Sequence, residues 1–150
     1  MLKFREIGTY KNAVNAGYCT ADVVLHNGNV VTFDRATKKA ALPTTGKEVG
    51  LAIVMNTIDK PEIHEPNEFA IGVGENPRLF VLSSLKGRII DMDMDQVDGT
   101  YAEINVDDKL VANAEGKLEV AADVSTYKEY FRVIEKTSYA GEGLAVEVIA

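Results

Sequence analysis

Turn-forming residues interrupt this chain so often that no apolar run exceeds the length of a short strand. Asp22–His26 and Asn29–Phe33 are β-rich and flank Asn27-Gly28, a dipeptide that tolerates the positive φ of a two-residue type I′ turn, so a hairpin is expected there. Asp34–Lys39 reads as a polar turn, and 46–55 as a β-branched run central in a sheet. The segment 57–68, with Pro61 and Pro66, reads as a loop excursion. Arg78–Leu82 and Arg88–Met92 flank Lys86-Gly87 and suggest a second hairpin, with Tyr101–Val106 as a further run. Lys109–Asn113 and Lys117–Val120 surround Ala114-Glu115-Gly116, and Phe131–Lys136 and Leu144–Ile149 are separated by Gly141-Glu142-Gly143. Runs spaced roughly 8 to 12 residues apart predict an all-β chain, mainly β with little helix, in a small antiparallel β-barrel or sandwich.

Helix is the minority signal. Thr9–Ala16 is long enough for a turn or two. Thr126 and Glu129 have capping-box spacing, yet the residues around them also alternate, and aromatic and β-branched content favours strand from about Tyr130 onward. Phe4, Ile7, Tyr10 and Tyr18 all precede the first strong strand signal. Two readings stand for residues 1–20: an extended N-terminal arm that packs on a partner, outside a single domain of residues 21–150, or a first strand and loop within that domain.

At 150 residues, with 46% hydrophobic and 26% charged, the composition is that of one globular domain. No apolar stretch approaches the roughly 20 residues that cross a bilayer, and the start lacks the apolar core of a secretory signal, so no membrane partner is expected. The lone Cys19 cannot form an internal disulfide, which fits a reducing compartment. The net charge of −7 has one source: seven acids between Ile89 and Asp108 with no base among them, leaving 16 acids and 16 bases elsewhere. Such a patch repels a phosphate backbone, and Lys3, Arg5 and Lys11 are too few for a nucleic-acid arm, so nucleic acid is excluded as a partner.

Candidate chemistry is sparse. In a strand, Asp91, Asp93 and Asp95 would share one face, with Met92 and Met94 on the other. These three are the candidate cation ligands, but an EF-hand beginning at Asp91 would need Gly and Glu where Gln96 and Ala102 stand. A solvated acidic face is the simpler reading. Two of the carboxylates could serve a glycosidase, yet the chain has no Trp to build a sugar platform. Cys19 and His26 could pair as nucleophile and base, but a single Cys is more often a small buried apolar group. His64-Glu65 lacks the second His of a zinc-protease helix, and Gly72-Val73-Gly74 reads as a bulge or tight turn rather than a dinucleotide loop. No catalytic residue and no cofactor are expected.

Val106–Val120 and then Phe131–Thr137 with Gly143–Ile149 resemble the C-terminal half of small tailed-phage head decoration, or capsid cement, proteins. Gly28–Phe33 and Glu48–Val54 are similar to early strands of that family. The resemblance implies a non-enzymatic virion protein, made in the bacterial host cytoplasm, that binds the outer surface of a capsid and stabilises it. The major capsid protein would be its partner, and self-association as a homotrimer is implied by the same likeness. Leu2, Phe4, Arg5, Ile7, Tyr10 and Tyr18 are then the candidate capsid contacts. The alternatives are another phage structural component (tail, connector or head fibre), a small β-barrel module for a ligand or carbohydrate, and a hydrolase built on the acidic stretch.

Overall fold

The computed structural model describes residues 1–138 and 141–150. The first half contains β1 (Leu2–Phe4), α1 (Gly8–Asn12), β2 (Thr20–Ala21), β3 (Val30–Asp34), β4 (Lys39–Ala41) and β5 (Ala52–Val54). The second half contains β6 (Leu79–Val81), β7 (Ile89–Asp93), β8 (Val97–Asp98), β9 (Lys109–Ala112), β10 (Leu118–Val120), β11 (Tyr130–Thr137) and β12 (Gly143–Ile149), with 3-10 turns at Pro66–Glu68 and Leu82–Leu85. The strands form a seven-stranded sheet, ordered β1-β7-β12-β11-β9-β10-β8, and a five-stranded sheet, ordered β2-β4-β3-β5-β6. The all-β expectation holds, and the arrangement is sandwich-like rather than a closed barrel. Pairing is antiparallel except at the periphery, where β2 with β4 and β8 with β10 run parallel.

Alternation explains both sheets. In β7 and β12, Ile90, Met92, Leu144, Val146 and Val148 point into a core shared with the smaller sheet, while Asp91 and Glu147 belong to the opposite face. The smaller sheet is buried on both sides: Val30, Ile53 and Phe80 join that shared core, whereas their neighbours Val31, Ala52, Val54 and Leu79 join a second cluster. Cys19, Leu25, Phe69 and Ile71 complete the second cluster from the segments that cover the sheet's outer side. This is why the 46–55 run reads as continuous apolar sequence rather than as an alternating one.

The seam between the sheets is tied by buried polar groups. Asn29, only 4% exposed, accepts the His26 N–H at 2.7 Å, and its amide donates to Gln96 Oε1 at 2.7 Å and to the Gly116 carbonyl at 3.3 Å. That carbonyl also accepts the Val30 N–H at 2.8 Å. Gly116 has φ +72°, and a Cβ there would lie 2.8 Å from the Val30 carbonyl oxygen, so only glycine lets the β9–β10 turn approach β3 this closely. On the far side, the buried Glu129 carboxylate accepts the Leu51 N–H at 2.7 Å at the entry to β5.

Several expectations are revised. The Asn27-Gly28 turn forms, closed by Asn29 N–H to His26 O at 3.1 Å, but it joins no hairpin. Asn29 uses its side chain on His26 and its carbonyl on Val54, so β3 pairs with β4 and β5 while Leu25 bridges to Ile71. Lys86-Gly87 carries the chain from one sheet to the other instead of reversing it. Tyr101–Val106 is not a strand, whereas strand begins at Tyr130 as expected, and the Glu129 carboxylate accepts the Leu51 N–H. Of the two readings of residues 1–20, the geometry matches a first strand and loop: β1 pairs with β7, and Phe4 is 3% exposed, stacked edge-on against Phe80 at 5.1 Å. Deleting this segment would therefore remove part of the core.

The Glu129 tie makes a stability prediction. Glu129→Ala leaves buried N–H donors without an acceptor and should cost about 1–3 kcal/mol in urea unfolding. Burial pushes the Glu129 carboxyl above its ordinary 4.5, with the backbone N–H groups of Leu51 and Gly50 opposing. The folded chain therefore holds this proton more tightly than the unfolded chain. Its contribution is full below the ordinary value and is lost as pH rises through the raised one. Glu129→Gln should abolish that decline, which denaturation across acid to neutral pH measures.

Candidate functional site

The acidic stretch does not gather its carboxylates. In register, Lys3, Asp91, Ala145 and Glu135 form a row across β1, β7, β12 and β11. A bulge between Val133 and Glu135 sets Glu135 opposite Ala145 rather than opposite Leu144, keeping it on the outer face. Ala145 is small enough for one guanidinium to bridge its neighbours. Arg5 Nη2 donates to Asp91 Oδ1 at 2.7 Å, and Nη1 donates to Glu135 Oε2 at 2.9 Å. Asp91 is 3% exposed, so this is a carboxylate neutralised inside the fold. Hydrogen bonding to Asp91, outweighing burial, raises the Arg5 pKa still further.

Asp93, at the end of β7, pairs with the Met1 ammonium and accepts the Asp95 N–H at 3.2 Å. Asp95 lies beyond the strand and is exposed. Among the described residues, no three His, Cys, Asp or Glu side chains are placed to hold a metal ion. The candidate ligands Asp91, Asp93 and Asp95 are thus brought to one end of a strand without converging. Asp91 faces Arg5, and only Asp93 and Asp95 reach a common recess.

That recess is a cleft of about 290 Å³ between the end of β7, the Asn27-Gly28 turn and the Pro66–Phe69 segment. His26 stands on its wall with Nδ1 3.2 Å from the Phe69 carbonyl oxygen. A carbonyl only accepts, so Nδ1 is the donor in this contact. Asn27 and Asn56 satisfy each other: Asn27 Nδ2 donates to Asn56 O at 3.0 Å, and Asn56 N–H donates to Asn27 Oδ1 at 2.7 Å. Nothing in the linear sequence announces this cleft, whose walls come from segments far apart in the chain.

The candidate contacts of the N-terminal segment divide sharply. Phe4 is core, Leu2 is half-buried beside the cleft, and Arg5 is committed to its two carboxylates. Tyr10 is partly engaged, with its ring 4.6 Å from Phe4 and its hydroxyl on Met55 Sδ. Ile7, at 89% exposure, and Tyr18, at 67%, stand free, and Val14, which the sequence reading passed over, is 50% exposed. The segment carrying them is nonetheless tied down. Ala16 N–H donates to Leu79 O, Val81 N–H donates to Val14 O, and Val14 N–H donates to Ser84 Oγ. Cys19 is buried in the second cluster with its thiol pushed up by burial, the opposite of an activated nucleophile. His26 is turned to Phe69.

No protein-family model matches the chain, and no curated protein matches its sequence. No helix among the described residues is long and apolar enough to cross a membrane.

The ion-pair geometry separates structure from metal binding. Arg5→Met leaves Asp91 buried without its partner and should lower stability by about 3 kcal/mol, the low end for a broken buried pair because Arg5 itself is part-exposed, read by urea unfolding. Millimolar Ca²⁺ should restore none of it and should not raise the midpoint of the unsubstituted chain. A calcium-dependent rise would return Asp91, Asp93 and Asp95 to the role of ligands.

Proposed function

We propose that this chain is a non-enzymatic virion structural protein that docks on the outer surface of a tailed-phage capsid and stabilises it. One observation carries the reading. Ile7, Val14 and Tyr18, with Tyr10 half-engaged beside them, present large apolar groups to solvent from a segment whose backbone is already ordered against β6. Single exposed apolar residues are ordinary, but these belong to one short segment tied to β6, and a partner laid along that segment would bury all of them. Because the segment is held before docking, it loses little conformational entropy when a partner covers it. The committed carboxylates around Arg5 and the buried Cys19 support a scaffold rather than a catalyst. The aromatic rings also weigh against a sugar platform: Phe4, Tyr10 and Phe80 pack on one another, and Phe69 at the cleft is 4% exposed.

A docking protein of this kind acts by mass action. It binds the assembled shell and not its free subunits, so many modest contacts shift the equilibrium toward the shell. The major capsid protein is the partner in this reading, and the capsid surface is the chain's place in the virion.

The test is co-sedimentation with capsids assembled from the major capsid protein of a phage whose genome carries this chain's gene. The double substitution Ile7→Ser, Tyr18→Ser removes apolar burial worth about 1.5–3 kcal/mol per residue and should weaken binding at least tenfold. Its circular dichroism should not change, because both side chains are exposed. Undiminished binding by the folded variant would overturn the docking surface, and failure of the unsubstituted chain to bind would overturn the function.

A further inference from the structure

The cleft at the end of β7 has a chemistry of its own. At about 290 Å³ it falls just short of the smallest pockets that hold drug-sized ligands. One long side chain is the size of group that fills it. Its anionic lining is Asp93, which is paired with the Met1 ammonium, and Asp95, and His26, Asn67 and Gln96 complete the polar wall. The Asn27 and Asn56 amides each donate to a carbonyl, of Asn56 and Asn76 respectively. Leu2, Ile58, Pro66 and Phe69 supply the apolar part.

A shallower trough continues from the cleft, shares Asp93 and Asp95 with it, and adds Glu65 and Glu142. Across the two, the Met1 ammonium is the only cationic group among the described lining residues and is taken by Asp93, which leaves the carboxylates of Asp95, Glu65 and Glu142. An anion is therefore repelled, and a cation with an aliphatic stem is complementary in both charge and shape.

We propose that this cleft is a socket for one basic side chain, arginine or lysine, presented by a protein partner whose flanking residues lie along the acidic trough. The cleft shares Asn56 with a neighbouring recess lined by Tyr18 and Arg78, so it adjoins the apolar surface formed by the N-terminal segment. A single partner can then cover both. The socket rests on the docking reading only for the identity of that partner, which would be a capsid subunit. Its preference for a cationic side chain is a property of the chain alone.

The experiment uses the free chain, labelled for amide NMR, titrated with the capped tripeptide acetyl-Gly-Arg-Gly-amide. Saturable shifts are expected at His26, Asn67, Asp95 and Gln96, with affinity in the millimolar range and loss at about 0.5 M salt. Asp95→Asn should weaken binding about three- to fivefold, the scale of one exposed charge pair. Asp95 is exposed, so the rest of the spectrum should be unchanged and will report that the variant is folded. The same peptide with norleucine in place of arginine should give no saturable shift. Absence of saturation with the arginine peptide, an equal response to norleucine, or unchanged affinity in folded Asp95→Asn would each overturn the socket. No capsid is present, so the outcome is independent of capsid docking.

Discussion

Burial of the five-stranded sheet on both faces is the constraint from which the rest of the architecture follows. A sheet covered on one side needs a partner layer, whereas one covered on both needs two. Here the seven-stranded sheet supplies the first through Ile90, Met92, Val146 and Val148. Irregular chain around Leu25, Phe69 and Ile71 supplies the second. That covering chain has few backbone partners of its own, so single ties hold it, such as the reciprocal bonds between Leu25 and Ile71 at 3.0 and 2.8 Å. The loops that build the cleft are the ends of this covering layer, which explains why a recess forms there and not on the strongly paired outer face of the larger sheet.

Polar groups at the seam add geometric specificity to apolar burial. Asn29 and Glu129 are buried at 4% and 5% exposure, and each hydrogen-bonds a backbone group of a different segment. A hydrophobic interface alone would tolerate sliding between the layers. These bonds do not, because an offset would strand buried donors at a cost comparable to a sizeable share of the fold's net stability. The outer face follows another rule. Arg5 pairs with Asp91 on β7 and reaches over β12 to Glu135 on β11, and Arg132 pairs with Glu147 across neighbouring strands, so these contacts fix register and occupy charge which would otherwise be free for chemistry.

What could be read from the linear chain was local. The β9–β10 hairpin is joined by its own turn, and β11 pairs with the next strand in the chain, β12, so local strand pattern and pairing agreed in both. The turns at 27–28 and 86–87 carry the same signals, yet tertiary pairing overrode them: Val54 and Gln96 compete for Asn29, and β6 and β7 belong to different sheets. The acidic run 91–95 has the period of a strand face but outlasts the strand, which stops at Asp93. In the N-terminal segment, apolar character was visible but its use was not. Phe4 and Ile7 are equally apolar by type, and only the pairing of β1 with β7 buries one while leaving the other 89% exposed. The cleft lay beyond any local reading, since His26, Asn56, Asn67 and Asp95 meet only after both sheets have formed.

On the proposed reading the chain acts by presenting a preformed surface, with an ordered segment bearing exposed apolar residues near an acidic recess. Cryo-electron microscopy of capsids saturated with the chain tests that account most directly. It predicts density repeated over the capsid lattice, with the segment from Ile7 to Tyr18 against the shell and the outer face of the seven-stranded sheet toward solvent. Density confined to a single ring, or contact made through that charged outer face with the N-terminal segment left in solvent, would contradict it.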